Sequence, residues 1–394
     1  MAFLIAQPAP ARSAEIWQET KINGRSCVTF ASFCEFYEFN QIPVPERDAF
    51  TISSVYGSLT LKANSREAFF NGRQLWLSFP FIRDDQGNAY VPRLDVIKLF
   101  DPLLRRNEIA PRKKVLGVVI DPGHGGADHG TRSRANYYEK TAALDTARRL
   151  QAILQARKIP TFMTRAEDVF ITLEERCALA NRHRDWIFVS LHYNEARPGA
   201  HGVETYCLTP QYAASTADGG SPRSGDREQQ PGNQHDALNI LLADYVQAEM
   251  TKLHSSQGDR GIKRARFVVL RDTEIPAILV EGGFLSSPVD AGLITTGAYR
   301  QKLAEAIARG VGNYLDLMTS PVGKAPTVLK PVDRPKFRAP TASTLKPVAA
   351  PSAAPVPVIP NLREITRPVP APAPVAPEQP PSADSEPAGT VSGT

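Results

Sequence analysis

The sequence predicts an α/β fold, a mostly parallel twisted sheet flanked by helices, preceded by a small α+β domain and followed by a disordered Pro/Ala-rich tail. Three observations carry that expectation. From Val115 to Met318, short apolar runs alternate with helix-period segments, the pattern of strands buried on both faces. Before Leu104 the strands are β-branched, partly alternating and turn-punctuated. Of 34 prolines roughly half lie from Pro321 onward, where the composition cannot bury enough apolar area to offset its ordering entropy.

The 394 residues divide accordingly into a leader or truncated signal (1–15), the small α+β domain (16–104), a linker (105–114), the α/β domain (115–318) and the tail (319–394). The leader, MAFLIAQPAPARSA, has an apolar stretch from Phe3 to Ala6 that is shorter than the roughly 7–15 residues of a signal core. It reads equally as the stump of an export signal and as a disordered leader. In the α+β domain, Thr51–Leu61 and Ala68–Ile82 read as strands, with Asn71-Gly72 as a hairpin turn. An internal echo is visible: residues 23–28 lead into the apolar-periodic Phe30–Tyr37, and residues 87–91 lead into Leu94–Leu104. Arg105–Lys114 is charged and interrupted by Pro111, as a solvated linker is.

In the α/β domain the expected strands are Val115–Ile120, Pro160–Thr164, Trp186–Leu191, Gly202–Leu208, Phe267–Leu270 and Ala277–Val280. The expected helices are Lys140–Lys158, Thr172–Arg184, Ala237–Leu253 and Tyr299–Leu317, the first marked by Ala143, Leu144, Ala147, Leu150, Ile153 and Leu154 at amphipathic spacing. Thr209–Gly232 reads as a long surface loop.

Whole classes of function fall away on composition. The formal charge is +5, of which the tail contributes +3 (eight Lys/Arg, five Asp/Glu), so the folded part has no nucleic-acid-binding charge excess. No apolar run approaches the roughly 18–20 residues of a membrane span. Cys27, Cys34, Cys177 and Cys207 form no CxxC pair and read as small buried hydrophobes.

Chemistry concentrates at strand ends. His124 follows the first α/β strand in Asp121-Pro122-Gly123-His124-Gly125-Gly126, Glu139 opens the long helix, and His192 ends Trp186–Leu191. The carboxyl ends of strands are where sites form in open α/β sheets. Two imidazoles and one carboxylate meeting there are the ligand chemistry of a catalytic zinc with an open position. Glu281 terminates Ala277–Val280 with no cation nearby in sequence; burial raises such a carboxyl's pKa and suits it to act as general base. Each residue alone has a plainer reading: His124 a capped loop histidine, His192 a core histidine, Glu139 a carboxylate at a helix N-terminus. His129, His183, His201, His235 and His254 lack a strand-end setting and read as non-ligands.

The ordered motifs DPGHGG, Glu-Lys, SLHYN and VLR-x4-PAILVEGGFLS resemble the zinc-dependent N-acetylmuramoyl-L-alanine amidases of the type-3 class. The run Met163-Thr164-Arg165 through Arg176 to Ala180-Asn181, and Gly202-Val203-Glu204-Thr205-Tyr206, are similar to secondary motifs of the same class. The resemblance spans about Lys114 to Leu317. It implies one Zn2+ per chain on His124, Glu139 and His192, with Glu281 as catalytic glutamate. It also implies peptidoglycan as substrate, cleaved between the lactyl group of N-acetylmuramic acid and L-alanine, and hence a periplasmic or extracellular location. Asn194 and Arg271 are placed to touch substrate or the ligands' own partners. Some members of the class insert an autoinhibitory helix into the site; Tyr206–Asn239 shows no strong helix pattern to match it, so an activator partner is not indicated. The two half-units of 16–104 resemble the domain named for the N-terminus of copper amine oxidases, carried as a stalk by many cell-wall enzymes. The competing readings are a zinc exopeptidase-like hydrolase of another amide and a non-catalytic wall-binding protein, the latter predicting a lost ligand or lost glutamate.

Overall fold

The computed structural model describes residues 17–42, 48–110, 113–196, 199–219, 222–253 and 258–320, all within one unit. The expected leader and the expected tail beyond residue 320 lie outside them. The first strands are β1 (Glu19–Ile22), β2 (Arg25–Thr29), β3 (Asn40–Ile42), β4 (Ala49–Ser54), β5 (Gly57–Lys62), β6 (Ser65–Phe70), β7 (Arg73–Arg83) and β8 (Ala89–Pro92). After them come β9 (Val118–Pro122), β10 (Thr161–Met163), β11 (Ile187–Asn194), β12 (Val203–Leu208), β13 (Asp259–Ala265) and β14 (Ala277–Phe284).

The echo in the first hundred residues is a pair of strand–helix units that meet. β2 runs into helix Phe30–Phe36, whose first turn is capped by the Thr29 hydroxyl accepting from the Ser32 N–H at 3.3 Å. β8 runs into a continuous helical stretch, Arg93–Asp95, the π turn Val96–Phe100 and Asp101–Leu104. β2 and β8 pair antiparallel, Val28 opposite Val91. Between the two helices Phe33 packs edge-on to Phe100 at 5.6 Å, and the buried Tyr37 hydroxyl donates to Asp101 at 2.8 Å. Thr51–Leu61 is not one strand but two, β4 and β5, and Asn71-Gly72 turns β6 into β7 as expected.

The α/β part places β10, β9, β11 and β14 side by side and parallel, then β12 antiparallel to β14, then β13 parallel to β12. Its two faces are separate cores. Val118, Ile120, Val189, Ile278 and Val280 pack with helices Glu139–Ala156, Asp236–Met250 and Gly297–Thr319. Val119, Phe188, Ala277 and Leu279 point the other way, onto helices Leu173–Asn181 and Val268–Arg271. Thr172 starts the first of them with a capping box to Glu175.

Three expectations are corrected. Phe267–Leu270 is not a strand: Val268–Arg271 is a helical turn, and the strand is β13, one segment earlier. The β-branched run looked extended, but Val269 and Leu270 are needed side by side on Cys177 and Val119, which one helical turn allows and an alternating strand does not. Arg105–Lys114 is not a solvated linker throughout, because Arg106–Ile109 is helical and Arg106 pairs with Asp244 at 3.3 Å. Thr209–Gly232 is not all surface either: Ala213, Ala214 and Asp226 are buried, and its regular structure is 3-10 turns among the described residues.

The sheet does not stop at the expected boundary. β7 pairs parallel with β13, Leu75 opposite Ile262. Gly261 permits this approach, since a Cβ there would stand 2.3 Å from the Gln74 carbonyl oxygen. Beside that seam the buried Asp244 receives Arg73 at 2.6 Å and Arg106, while Lys98 reaches Asp236 at 3.0 Å. Asp244→Ala strands two guanidinium groups in a mostly desolvated seam, a loss of about 3 kcal/mol or more. The expected outcome is a thermal unfolding midpoint lower by several degrees, measured by circular dichroism; an unchanged midpoint would refute it.

Candidate active site

Strand alternation decides which groups meet. Phe188, Ser190 and His192 share one face of β11, and Ala277, Leu279 and Glu281 share that face of β14, with His192 opposite Glu281 in register. Glu204 of β12 lies opposite Glu281 on its other side. This is the face on which helices Leu173–Asn181 and Val268–Arg271 pack.

His124 arrives from the turn after β9. Its φ of 58° is left-handed, a conformation that costs a non-glycine residue about 1 kcal/mol or more. Two buried arginines hold the turn. Arg176 donates to the carbonyls of Pro122 and His124 at 2.7 and 2.8 Å, and Arg165 to those of Pro122 and Gly123 at 2.9 and 2.7 Å. Beneath them the fully buried Asp121 accepts from Arg176 at 2.7 Å, Thr164 at 2.6 Å and Ser190 at 2.8 Å. Burial opposes its charge, but Arg176 and the two hydroxyls outweigh it and hold the carboxyl below the usual range. Gly123 is required next to His124: a Cβ there would stand 2.2 Å from the His192 ring.

Glu139, His124 and His192 converge, with one donor atom from each lying within 4.8 Å of the others. Glu139 Oε1 accepts the Tyr193 N–H at 3.0 Å and meets His192 Nδ1 at 2.9 Å and His124 Nε2 at 3.2 Å. Its Oε2 accepts the Thr131 N–H at 2.8 Å. Burial works against ionisation here too, but the His124 and His192 imidazoles win and the carboxyl lies far below its ordinary value. His124 Nδ1 meets Asp128 at 2.8 Å, which fixes the ring with Nε2 toward Glu139. Against opposing burial, Glu139 and Asp128 lift His124 to about 10, so a metal ion taken up here displaces a proton.

Glu281 is the contrast. It is buried, and its Oε2 has no hydrogen-bond partner among the described residues. Burial first, then the charges of Glu139 and Glu204, push its pKa well above the ordinary value. Glu204 is equally buried yet accepts from Asn194 and Tyr206, each at 2.7 Å, and from Arg260 at 2.8 Å, with Lys263 also paired to it. Two imidazoles and a carboxylate, with a carboxyl oxygen lacking a partner on the neighbouring strand, fit the donor chemistry of a divalent ion such as zinc.

The four main residues expected from the sequence thus lie together. Asn194 reaches the cluster through Glu204, and Arg271 gives its Nε and Nη2 to the adjacent Asp272, with no bond to the four. Asp121, Asp128, Arg165, Arg176 and Glu204 were not singled out from sequence as site residues; for Asp128 the spacing of four from His124 within a Gly-rich turn was the available signal. Of the other histidines, His129 stacks on Tyr138, His183 lies between Phe162 and Trp186, and His201 and His235 meet backbone carbonyls. His254 lies outside the described residues.

Arg176→Met leaves Asp121 charged and unpaired in the core, at a cost of about 3–5 kcal/mol near neutrality. Asp121's folded pKa is depressed, so its contribution is complete above the unfolded value near about 4 and is lost as pH falls through the folded value. The gap between wild type and variant, measured by denaturant titration, is therefore widest at pH 7 and narrows in acid; a gap independent of pH would contradict the assignment.

Residues 118–313 match the Amidase_3 family of N-acetylmuramoyl-L-alanine amidases. Over 217 residues the chain is 33% identical to N-acetylmuramoyl-L-alanine amidase AmiA of Escherichia coli K12, covering 50% of this chain and 75% of that one. It is 34% identical over 219 residues to AmiC of Neisseria meningitidis serogroup B, covering 50% of this chain and 52% of that one. Among solved structures, AmiC2 of Nostoc punctiforme is 32% identical, with a TM-score of 0.42, over 52% of this chain and 99% of its own. The family match begins at β9 and ends in helix Gly297–Thr319, the stretch that carries His124, Glu139, His192 and Glu281. The chain belongs to the type-3 N-acetylmuramoyl-L-alanine amidases, zinc enzymes that hydrolyse the amide between N-acetylmuramic acid and L-alanine in peptidoglycan.

Proposed function

We propose that His124, Glu139 and His192 hold the zinc ion and that Glu281 is the general base for cleavage of the muramoyl–L-alanine amide. The observation that carries this is the convergence of three donor atoms within 4.8 Å beside a buried carboxyl with an unpartnered oxygen. Bound there, zinc supplies Lewis acidity, polarising a carbonyl and bringing the pKa of water toward about 7.

The chain's own residues do the rest. Glu139 is kept ionised by the two imidazoles and by two backbone N–H groups, so it offers negative charge to a cation without first losing a proton. Asp128 orients His124 through Nδ1 and raises its basicity as a donor. Glu281 has a high proton affinity, which suits it to take a proton from the attacking water through Oε2 and to return it to the L-alanine amine as the C–N bond breaks. Asp121 and the two arginines fix the His124 turn and so act on the ligand's position.

The location that follows from this substrate is the periplasm or the outer wall, and no described helix is long and apolar enough to cross a membrane. Residues 16–104, by their resemblance to the copper amine oxidase N-terminal-like domain, are the part proposed to contact the wall.

Glu281→Gln is expected to keep zinc stoichiometry while hydrolysis falls by about 10²–10⁴ or more, and His124→Ala to lose the metal by elemental analysis. Wild-type turnover in the first, or full zinc in the second, would overturn the assignment of that residue. The reaction itself is tested by mass spectrometry of purified sacculi digested with and without chelator. Stem peptides released in the chelated sample as in the untreated one would exclude a metal-dependent amidase.

A further inference from the structure

The polar face that carries His192 and Glu281 does not end there. Register carries it across the next two strands, Glu281 beside Glu204 and Tyr206 beside Lys263, so that a row of polar groups crosses four strands. At its far end two cations, Arg260 and Lys263, converge on the same oxygen of Glu204, while Asn194 and Tyr206 fill the other. Two cations meet one carboxylate here, so the Arg260–Lys263–Glu204 group carries one more positive charge than negative.

Arg260 is built to offer that charge outward. Its side chain is 33% exposed, it binds Glu204 through Nε, and its two terminal nitrogens take no bond among the described residues. Its guanidinium carbon lies 4.7 Å from the centre of the Phe284 ring, which fixes the plane of the fork. A planar fork whose two terminal nitrogens are unbonded among the described residues presents an end-on edge that a carboxylate accepts in bidentate fashion.

We infer that Arg260 and Lys263, organised by Glu204, form a subsite for the α-carboxylate of the stem peptide's second residue. This rests on the reading of Glu281 as the group that returns a proton to the L-alanine amine. Adjacent strands lie about 4.8 Å apart, so the two cation heads, gathered at Glu204, stand one strand beyond Glu281. In an extended chain the α-carboxylate of the residue after L-alanine lies roughly 7 Å from the L-alanine nitrogen. With that nitrogen at Glu281, the carboxylate falls beside Arg260. In peptidoglycan stems this second residue is D-glutamate linked onward through its γ-carboxyl, with the α-carboxyl either free or amidated. The subsite therefore distinguishes acidic from amidated wall.

The test uses the zinc-loaded full chain and two substrates, N-acetylmuramoyl-L-alanyl-γ-D-glutamyl-L-lysine amide and its D-isoglutaminyl counterpart, which differ by one carboxylate against one carboxamide. The wild type is expected to favour the acid by about tenfold or more in kcat/KM, mostly through KM. Arg260→Gln, with zinc content and circular dichroism unchanged, brings the ratio to within about twofold of one, and Arg260→Lys keeps part of it. Equal kcat/KM for the two substrates in the wild type, or a ratio preserved in Arg260→Gln, would overturn the subsite and mark the cations as partners of Glu204 alone. Failure of the zinc-loaded wild type to cleave either substrate would instead bring down the reading of the centre, and this subsite with it.

Discussion

A carboxylate with no access to water lies under the whole site. Asp121 is fully buried at the end of β9, and an ionised group there is tolerable because Arg176, Thr164 and Ser190 all donate to it. Those three donors come from a helix, the end of β10 and β11, so satisfying one charge fixes the relative positions of three elements. Arg176 then uses its remaining donors on the carbonyls of the next turn, where His124 is held in a left-handed conformation. Position of the first histidine thus follows from the electrostatics of a residue three places before it.

The same rule sorts the other carboxylates at this end of the sheet. Glu139 and Glu204 are each surrounded by donors and cations and stay charged despite burial. Glu281, between them in space, has an Oε2 without a hydrogen-bond partner among the described residues, and desolvation with the repulsion of its two charged neighbours outweighs the pull of His124 and Lys263. A carboxylate that holds a cation must be ionised at neutral pH, and one that acts as a base must be able to hold a proton during part of the cycle. Three similar side chains thus differ in proton affinity through the donors and charges aimed at each.

The first hundred residues share this frame. β7 extends the sheet through β13, and the ion pairs of Arg73, Arg106 and Lys98 with Asp244 and Asp236 cross the seam. β13 also carries Arg260 and Lys263, so the strand that receives β7 on one side presents two cations to the site on the other.

The sequence alone determined the fold class and most of the alternation of strands and helices, and its ordered motifs point to His124, Glu139, His192 and Glu281. The fold class rests on local patterns, because burial on both faces needs a continuous apolar run and an amphipathic helix needs its 3.6 period, whereas each of the four residues alone has a plainer reading and is picked out by the order of motifs along the chain. It misread Phe267–Leu270, where β-branched composition points to a strand and packing against Cys177 and Val119 demands a helical turn. Tertiary structure alone decided that Asp121 and Arg176 meet across 55 residues and that Glu204 stands across the strand from Glu281. Register between strands and the count of donors around a buried charge are properties of neighbours distant in the chain, and no window of sequence contains them.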